Sequence, residues 1–230
     1  MREFLGNSLF LGIVVTLAAY LLGIILKKHF KLFIFNPLLV AIVVCIAILS
    51  IFGVEYRDYN ASAGHISFLL TPATVCLAIP LYEQVQLLKK NMTAILVGIA
   101  SGVLTSGVTI LIMSLFFSLS HTQYVTLLPK SITTAIGIGL SQELEGYVAI
   151  TVAAIMITGL FGNIAGETLC RLFGVKHPVA KGIAIGTASH VMGTSKAMEL
   201  GEIEGAMSSL SVAVAGCMTV AAAILFENLV

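Results

Sequence analysis

The chain has 230 residues, 58% hydrophobic and only 10% charged, with a formal net charge of +1 and no tryptophan, whereas a soluble domain carries about a quarter charged residues. That balance excludes an ordinary soluble protein, and with no basic block longer than the Lys27, Lys28, His29, Lys31 cluster it also excludes a nucleic-acid binder. Cys45, Cys76, Cys170 and Cys217 are scattered without CxxC or Cys/His spacing, and GxSxG, HExxH and phosphate-loop patterns are missing, so no disulfide framework, metal, cofactor or enzyme activity is expected.

In chain order, the first apolar run is Phe4 to Leu26, too long for a signal h-region and followed by lysines, and so a retained span. Leu32 to Val54, Asn91 to Ser120, Gly146 to Gly166 and Gly205 to Phe226 are further runs without a charged side chain, each long enough to cross a hydrocarbon core of about 30 Å, which needs roughly 20 apolar residues. Between them lie three interrupted runs: Ala61 to Tyr82 with Pro72 and Pro80, Thr122 to Gln142 with Pro129 and Lys130, and Lys181 to Leu200 with Gly186 and Gly193. Proline removes a backbone donor and clashes with the preceding turn. Backbone left unpaired at membrane depth survives only where protein buries it or it lines a cavity. The expected fold is therefore an all-α membrane protein of about seven or eight transmembrane segments, with the interrupted runs as broken or re-entrant helices.

A shift of 116 residues lays TPATVCLAIPLYE, Thr71 to Glu83, over TASHVMGTSKAME, Thr187 to Glu199, matching Thr71 with Thr187, Val75 with Val191 and Glu83 with Glu199. The same shift superposes uninterrupted runs, which predicts a duplicated architecture: residues 1–120 as a first repeat and 121–230 as a second, forming one membrane domain. Lys27, Lys28 and Lys31, then Lys89 and Lys90, then Arg171, Lys176 and Lys181 mark cytoplasmic loops. For this to hold, Thr122 to Gln142 must dip in and return, and the repeats run in opposite senses, as in inverted-repeat transporters. Eight plain spans are the alternative.

The stretches NPLLVA at Asn36 to Ala41, FLLTPATVCLAIPLY at Phe68 to Tyr82, LLPKSITT at Leu127 to Thr134 and TASHVMGTSKAMELGEIEG at Thr187 to Gly205, in that order, resemble the LrgB/CidB family of bacterial membrane proteins over nearly the whole chain. The resemblance implies a multi-pass protein of the bacterial cytoplasmic membrane, a small LrgA/CidA-like partner, and homo-oligomers as a further option. It also implies two accounts of function. One is a holin/antiholin-like protein modulating murein hydrolase export and autolysis. The other is a carrier of small carboxylates of the pyruvate, glycolate and glycerate type, the LrgB-type part of the plastidial glycolate/glycerate transporter being similar.

A carrier of small carboxylates must meet one negative charge and neighbouring oxygens within the membrane. LPKSITT supplies Lys130 as a cation and Ser131, Thr133 and Thr134 as hydroxyls after the break at Pro129. TPAT supplies Thr71 and Thr74 beside Pro72, and the second repeat supplies Thr194 and Ser195 beside Gly193. His190 lies inside the same weakly apolar run and titrates near neutral pH, which makes it the candidate proton-coupling residue; a neutral helix contact is the other reading. Lys196 and Glu199 form a candidate ion pair or gate. The reading is a proton-coupled secondary transporter of small 2-oxo or 2-hydroxy monocarboxylates working with the LrgA-like partner, with the antiholin-like role as the alternative.

Overall fold

The computed structural model describes residues 10–30, 35–69, 72, 75, 76 and 78–230, and these are all helix, turn or loop with no strand. They fall into two units, Met1–Cys76 and Leu77–Val230.

In the first unit α1 (Leu11–Phe30) is an apolar helix ending in Lys27, Lys28 and His29, cations that complement the carbonyl end of a helix. α2 (Pro37–Phe52) starts with proline in its first turn behind Asn36, whose side-chain oxygen accepts from the Leu38 N–H at 2.9 Å and the Leu39 N–H at 3.4 Å. It stops at Gly53, in the left-handed conformation with φ 60°. The two helices pack closely, since a Cβ on Gly23 would lie 2.7 Å from the Pro37 Cα. α3 (Tyr56–Ala63) returns to α1, where the Gly12 N–H donates to Ser62 Oγ at 2.7 Å and the Thr16 and Tyr59 hydroxyls pair at 2.7 Å.

The second unit comprises α4 (Ala78–Glu83), α5 (Val85–Phe117), α6 (His121–Leu127), a 3-10 turn (Leu128–Ser131), α7 (Thr134–Glu143), α8 (Val148–Leu172), α9 (Pro178–Leu200) and α10 (Glu202–Phe226). Its core joins Ile95, Ile99 and Val103 of α5, Val179 and Ile183 of α9, and Ala206, Met207 and Ala215 of α10. A second cluster seats Tyr124 and Val125 of α6 against Ile110 and Phe226, and the Tyr124 hydroxyl donates to the Phe226 carbonyl at 2.9 Å. Small residues allow this closeness where apolar solvent offers no driving force between helices. Gly186 of α9, for example, lies on α10 so tightly that a Cβ would come 2.5 Å from the Ser208 carbonyl oxygen.

Among the described residues, four helices are long and apolar enough to cross a membrane: Leu11–Phe30, Lys89–Phe117, Val148–Leu172 and Glu202–Leu229. Large apolar side chains such as Phe116, Phe117, Ile157, Phe161 and Leu225 stand exposed on these helices, as a lipid-facing surface requires. The run expected from Leu32 to Val54 contains a helix of only 16 residues, Pro37–Phe52, which at 1.5 Å per residue reaches about 24 Å. Pro129 lies in the 3-10 turn between α6 and α7. The break expected around Pro72 falls largely on residues outside those described, Thr71 and Thr74 among them.

Gly186→Val should lower the thermal unfolding transition in detergent, at a cost of about 1–3 kcal/mol for overpacking against Ser208. Gly139→Ala, at a glycine with nothing within 4 Å of the added carbon, should leave it unchanged or raise it slightly.

Candidate functional site

Two breaks meet in the second unit. At the first, Pro129 sits in the 3-10 turn and the chain then runs extended through Ile132 (φ −103°, ψ 177°) and Thr133 (φ −66°, ψ 147°) before α7 begins. Lys130 Nζ donates to Ser131 Oγ at 2.8 Å, and Ser131 Oγ lies 3.5 Å from Ser106 Oγ of α5. The chain that leaves at Thr126 is soon back beside it. The Tyr147 N–H donates to Thr126 Oγ1 and Thr151 Oγ1 donates to the Thr126 carbonyl, both at 2.8 Å, while Ser141 and Thr151 pair at 2.7 Å.

The second break lies inside α9, where Ser189 (φ −134°, ψ 16°) and His190 (φ 45°, ψ −143°) leave helical geometry. A positive φ is strained for any side chain but glycine's, so it must be held. The His190 ring is buried and its Nε2 lies 3.0 Å from the Ile155 carbonyl of α8, to which an Nε2–H donates. Gly159 makes room for the ring, since a Cβ there would lie 2.6 Å from ring atoms, and Gly162 does the same for the Ser189 side chain. Beyond the break, Thr194 Oγ1 donates to the His190 carbonyl at 3.0 Å and pairs with Ser208 Oγ at 2.8 Å. Asn163 Nδ2 donates to the Met192 carbonyl at 2.7 Å and to Ser195 Oγ at 2.8 Å.

Both breaks border a cavity of about 900 Å³ whose polar lining includes Ser101, Thr105, Ser106, Lys130, Ser131, Thr187 and Ser189. A wall rich in hydroxyls next to a lysine can hold water and a small anion. Of the residues expected at the site, Lys130 and Ser131 line this cavity. Thr133 and Thr134 sit half-buried where α7 starts. Thr194 is buried in its pair with Ser208, Ser195 is exposed and held by Asn163, and Gly193 packs on Ser189. His190 supports the break from behind the cavity wall, while its neighbour Ser189 lines it. Lys196 lies 3.4 Å from Glu199 and 3.0 Å from Glu167 of α8.

The α5 wall was not anticipated from sequence. Ser101, Thr105 and Thr109 recur every four residues and so share one helix face, a pattern that was readable within the run Asn91 to Ser120. Thr187 was visible only as the repeat partner of Thr71.

If the cavity is wet, cysteine introduced at Ser101 or Thr105, both exposed, should react with a water-soluble maleimide, and cysteine at Ile99, buried in the core, should not. The background for this labelling carries alanine at Cys45, Cys76, Cys170 and Cys217. Equal protection at all three positions would mean a closed, dry space.

Residues 16–229 match the model of the LrgB-like family. Proteins called antiholin-like protein LrgB in Bacillus mycoides, Bacillus cereus and Bacillus anthracis are each 41% identical over 212 residues, covering 92% of this chain and 92% of their own. No solved structure matches.

Proposed function

We propose, for a chain that belongs to the LrgB-like family, that it is an antiholin-like protein of the bacterial cytoplasmic membrane whose molecular activity is the passage of a small monocarboxylate at Lys130, with a small LrgA/CidA-like membrane protein as its partner. One observation carries the carboxylate reading: Lys130, in the turn that breaks α6 from α7, lines the 900 Å³ cavity with its Nζ on Ser131 Oγ. An ionisable group within membrane segments is costly and serves a pathway or a partner. The names of the Bacillus relatives favour the second reading, an antiholin-like role in controlling lysis without any cargo.

Within this proposal residues 1–120 and 121–230 are inverted repeats making seven or eight membrane segments. The offset of 116 residues supports it, carrying Pro37–Phe52 onto 153–168 inside α8 and Val85 onto 201 at the start of α10. Cysteine labelling should place positions 89 and 171 on the same side of the membrane. Labelling from opposite sides would refute the inverted arrangement.

Proteoliposomes holding the protein, with and without the LrgA-like partner, should take up labelled pyruvate, glycolate, lactate or glycerate. Lys130→Ala should weaken that uptake at least about tenfold, the worth of a lost charge-assisted hydrogen bond. Wild-type protein that moves none of the four under either condition would leave the antiholin-like role without a carboxylate cargo.

A further inference from the structure

The hydroxyls that α5 turns to the cavity are not equivalent. Ser101 Oγ donates to the Gly98 carbonyl at 2.8 Å, Thr105 Oγ1 to the Ser101 carbonyl at 2.7 Å and Thr109 Oγ1 to the Thr105 carbonyl at 2.7 Å. Their hydrogens are committed to the helix backbone, and what they offer an occupant is lone pairs. Such hydroxyls do not attract an anion.

Ser106, on the same helix, differs. Among the described residues its Oγ has no bond to a backbone carbonyl, and its hydrogen-bond contact is Ser131 Oγ at 3.5 Å. Lys130 Nζ donates to that same Ser131 oxygen at 2.8 Å, so Ser106, Ser131 and Lys130 form one chain of contacts on the wall of the 900 Å³ cavity. An ammonium group has three N–H donors, of which one goes to Ser131. The two hydroxyls have a hydrogen each, and their mutual contact, near the upper limit for such a bond, uses at most one. At least one hydroxyl hydrogen is therefore left beside the remaining ammonium hydrogens. Ser106 is half-buried whereas Ser131 is buried, so Ser106 is the serine that an occupant of the cavity meets. Ser189 lines the cavity too, in the other break, but among the described residues no contact joins it to this chain of three.

We propose that Ser106 is the second donor of an anion site centred on Lys130, its hydroxyl taking one carboxylate oxygen while the ammonium takes the other. The site rests on the carboxylate reading above and adds a residue of α5 to the broken segment that carries the charge. When the anion enters, the long contact between Ser106 and Ser131 gives way to a hydrogen bond with a charged acceptor, which is shorter and stronger than one between neutral groups. Ser131 acts as the link that holds Lys130 Nζ near Ser106.

The test is equilibrium binding of radiolabelled pyruvate and glycolate to the purified full-length protein, with Ser106→Ala set against Ser101→Ala. Both changes take one hydroxyl from the same helix and the same cavity wall, and only the first takes an uncommitted hydrogen. Ser106→Ala should weaken both anions about tenfold, as the loss of a hydrogen bond to a charged group does, and Ser101→Ala should bind as wild type does. Without ligand the two variants should melt at the same temperature. Lys130→Ala should weaken both anions at least as much as Ser106→Ala. Ser106→Ala that binds like wild type, or that weakens no more than Ser101→Ala, overturns the second donor and leaves the carboxylate reading standing. A ligand-free melting temperature lower for Ser106→Ala than for Ser101→Ala would make the contact with Ser131 a structural one and overturn the second donor too. Wild type that binds neither anion, or Lys130→Ala that binds as wild type does, overturns the carboxylate reading itself.

Discussion

The hydrogen bond between His190 Nε2 and the Ile155 carbonyl, 3.0 Å long, is the contact on which the second unit's cavity depends. A helix interrupted away from water must find new partners for its polar groups, each of which costs about 1–3 kcal/mol if left unmet, and a non-glycine residue at positive φ adds about 1–2 kcal/mol. The ring bond, the Thr194 donation to the His190 carbonyl and the Asn163 donation to the Met192 carbonyl together offset costs of that size. The two that join α8 to α9, at Ile155 and Asn163, would not reach without close helices. Gly159 and Gly162 bring α8 against the break from one side, and Gly182 and Gly186 bring α10 against α9 from the other. Small residues on α8 and α9 thus set the distance at which an imidazole can take over a backbone duty.

This explains which features were legible in the sequence. Charge-free apolar runs announced the long helices, and Pro129 announced the first break, because each acts locally: proline removes its own N–H wherever it stands. The TASH break carries no such mark. Its position at Ser189 and His190 depends on glycines of another helix, four and seven residues after Ile155, and no reading of residues 181–200 alone contains them. The repeat with Thr71 to Glu83 pointed to the right run, and the precise kink came only from the packing. Pro37 shows the opposite case, a proline that starts a helix behind an asparagine cap and breaks nothing.

Hydroxyls were legible as a class and illegible one by one. Thr194 and Thr187, seven residues apart on α9, looked alike in sequence. One is spent between the His190 carbonyl and Ser208, while the other has no hydrogen-bond partner among the described residues. The difference arises from their neighbours. Thr194 bonds back to the carbonyl four residues before it and faces Ser208 of α10, whereas Thr187 lies in the turn before the break, with Gly102 against its methyl. Counting serines and threonines beside a proline or glycine finds the polar region and leaves donors and acceptors unassigned.

That assignment bears on the sign of whatever enters the cavity. A face on which Ser101, Thr105 and Thr109 all donate inward to carbonyls offers only acceptor lone pairs, a lining suited to water and cations. Lys130 reverses the preference at one place, because a single positive charge at a few ångströms outweighs hydroxyl dipoles when the surroundings are poorly polarisable. A pore lined along its length would need such donors repeated. A cavity with one cation, set where one helix stops and another begins, instead selects at a single point. Under the carboxylate proposal an anion would therefore meet its charge at Lys130 without a continuous anionic path, at a point bordered by the two broken segments.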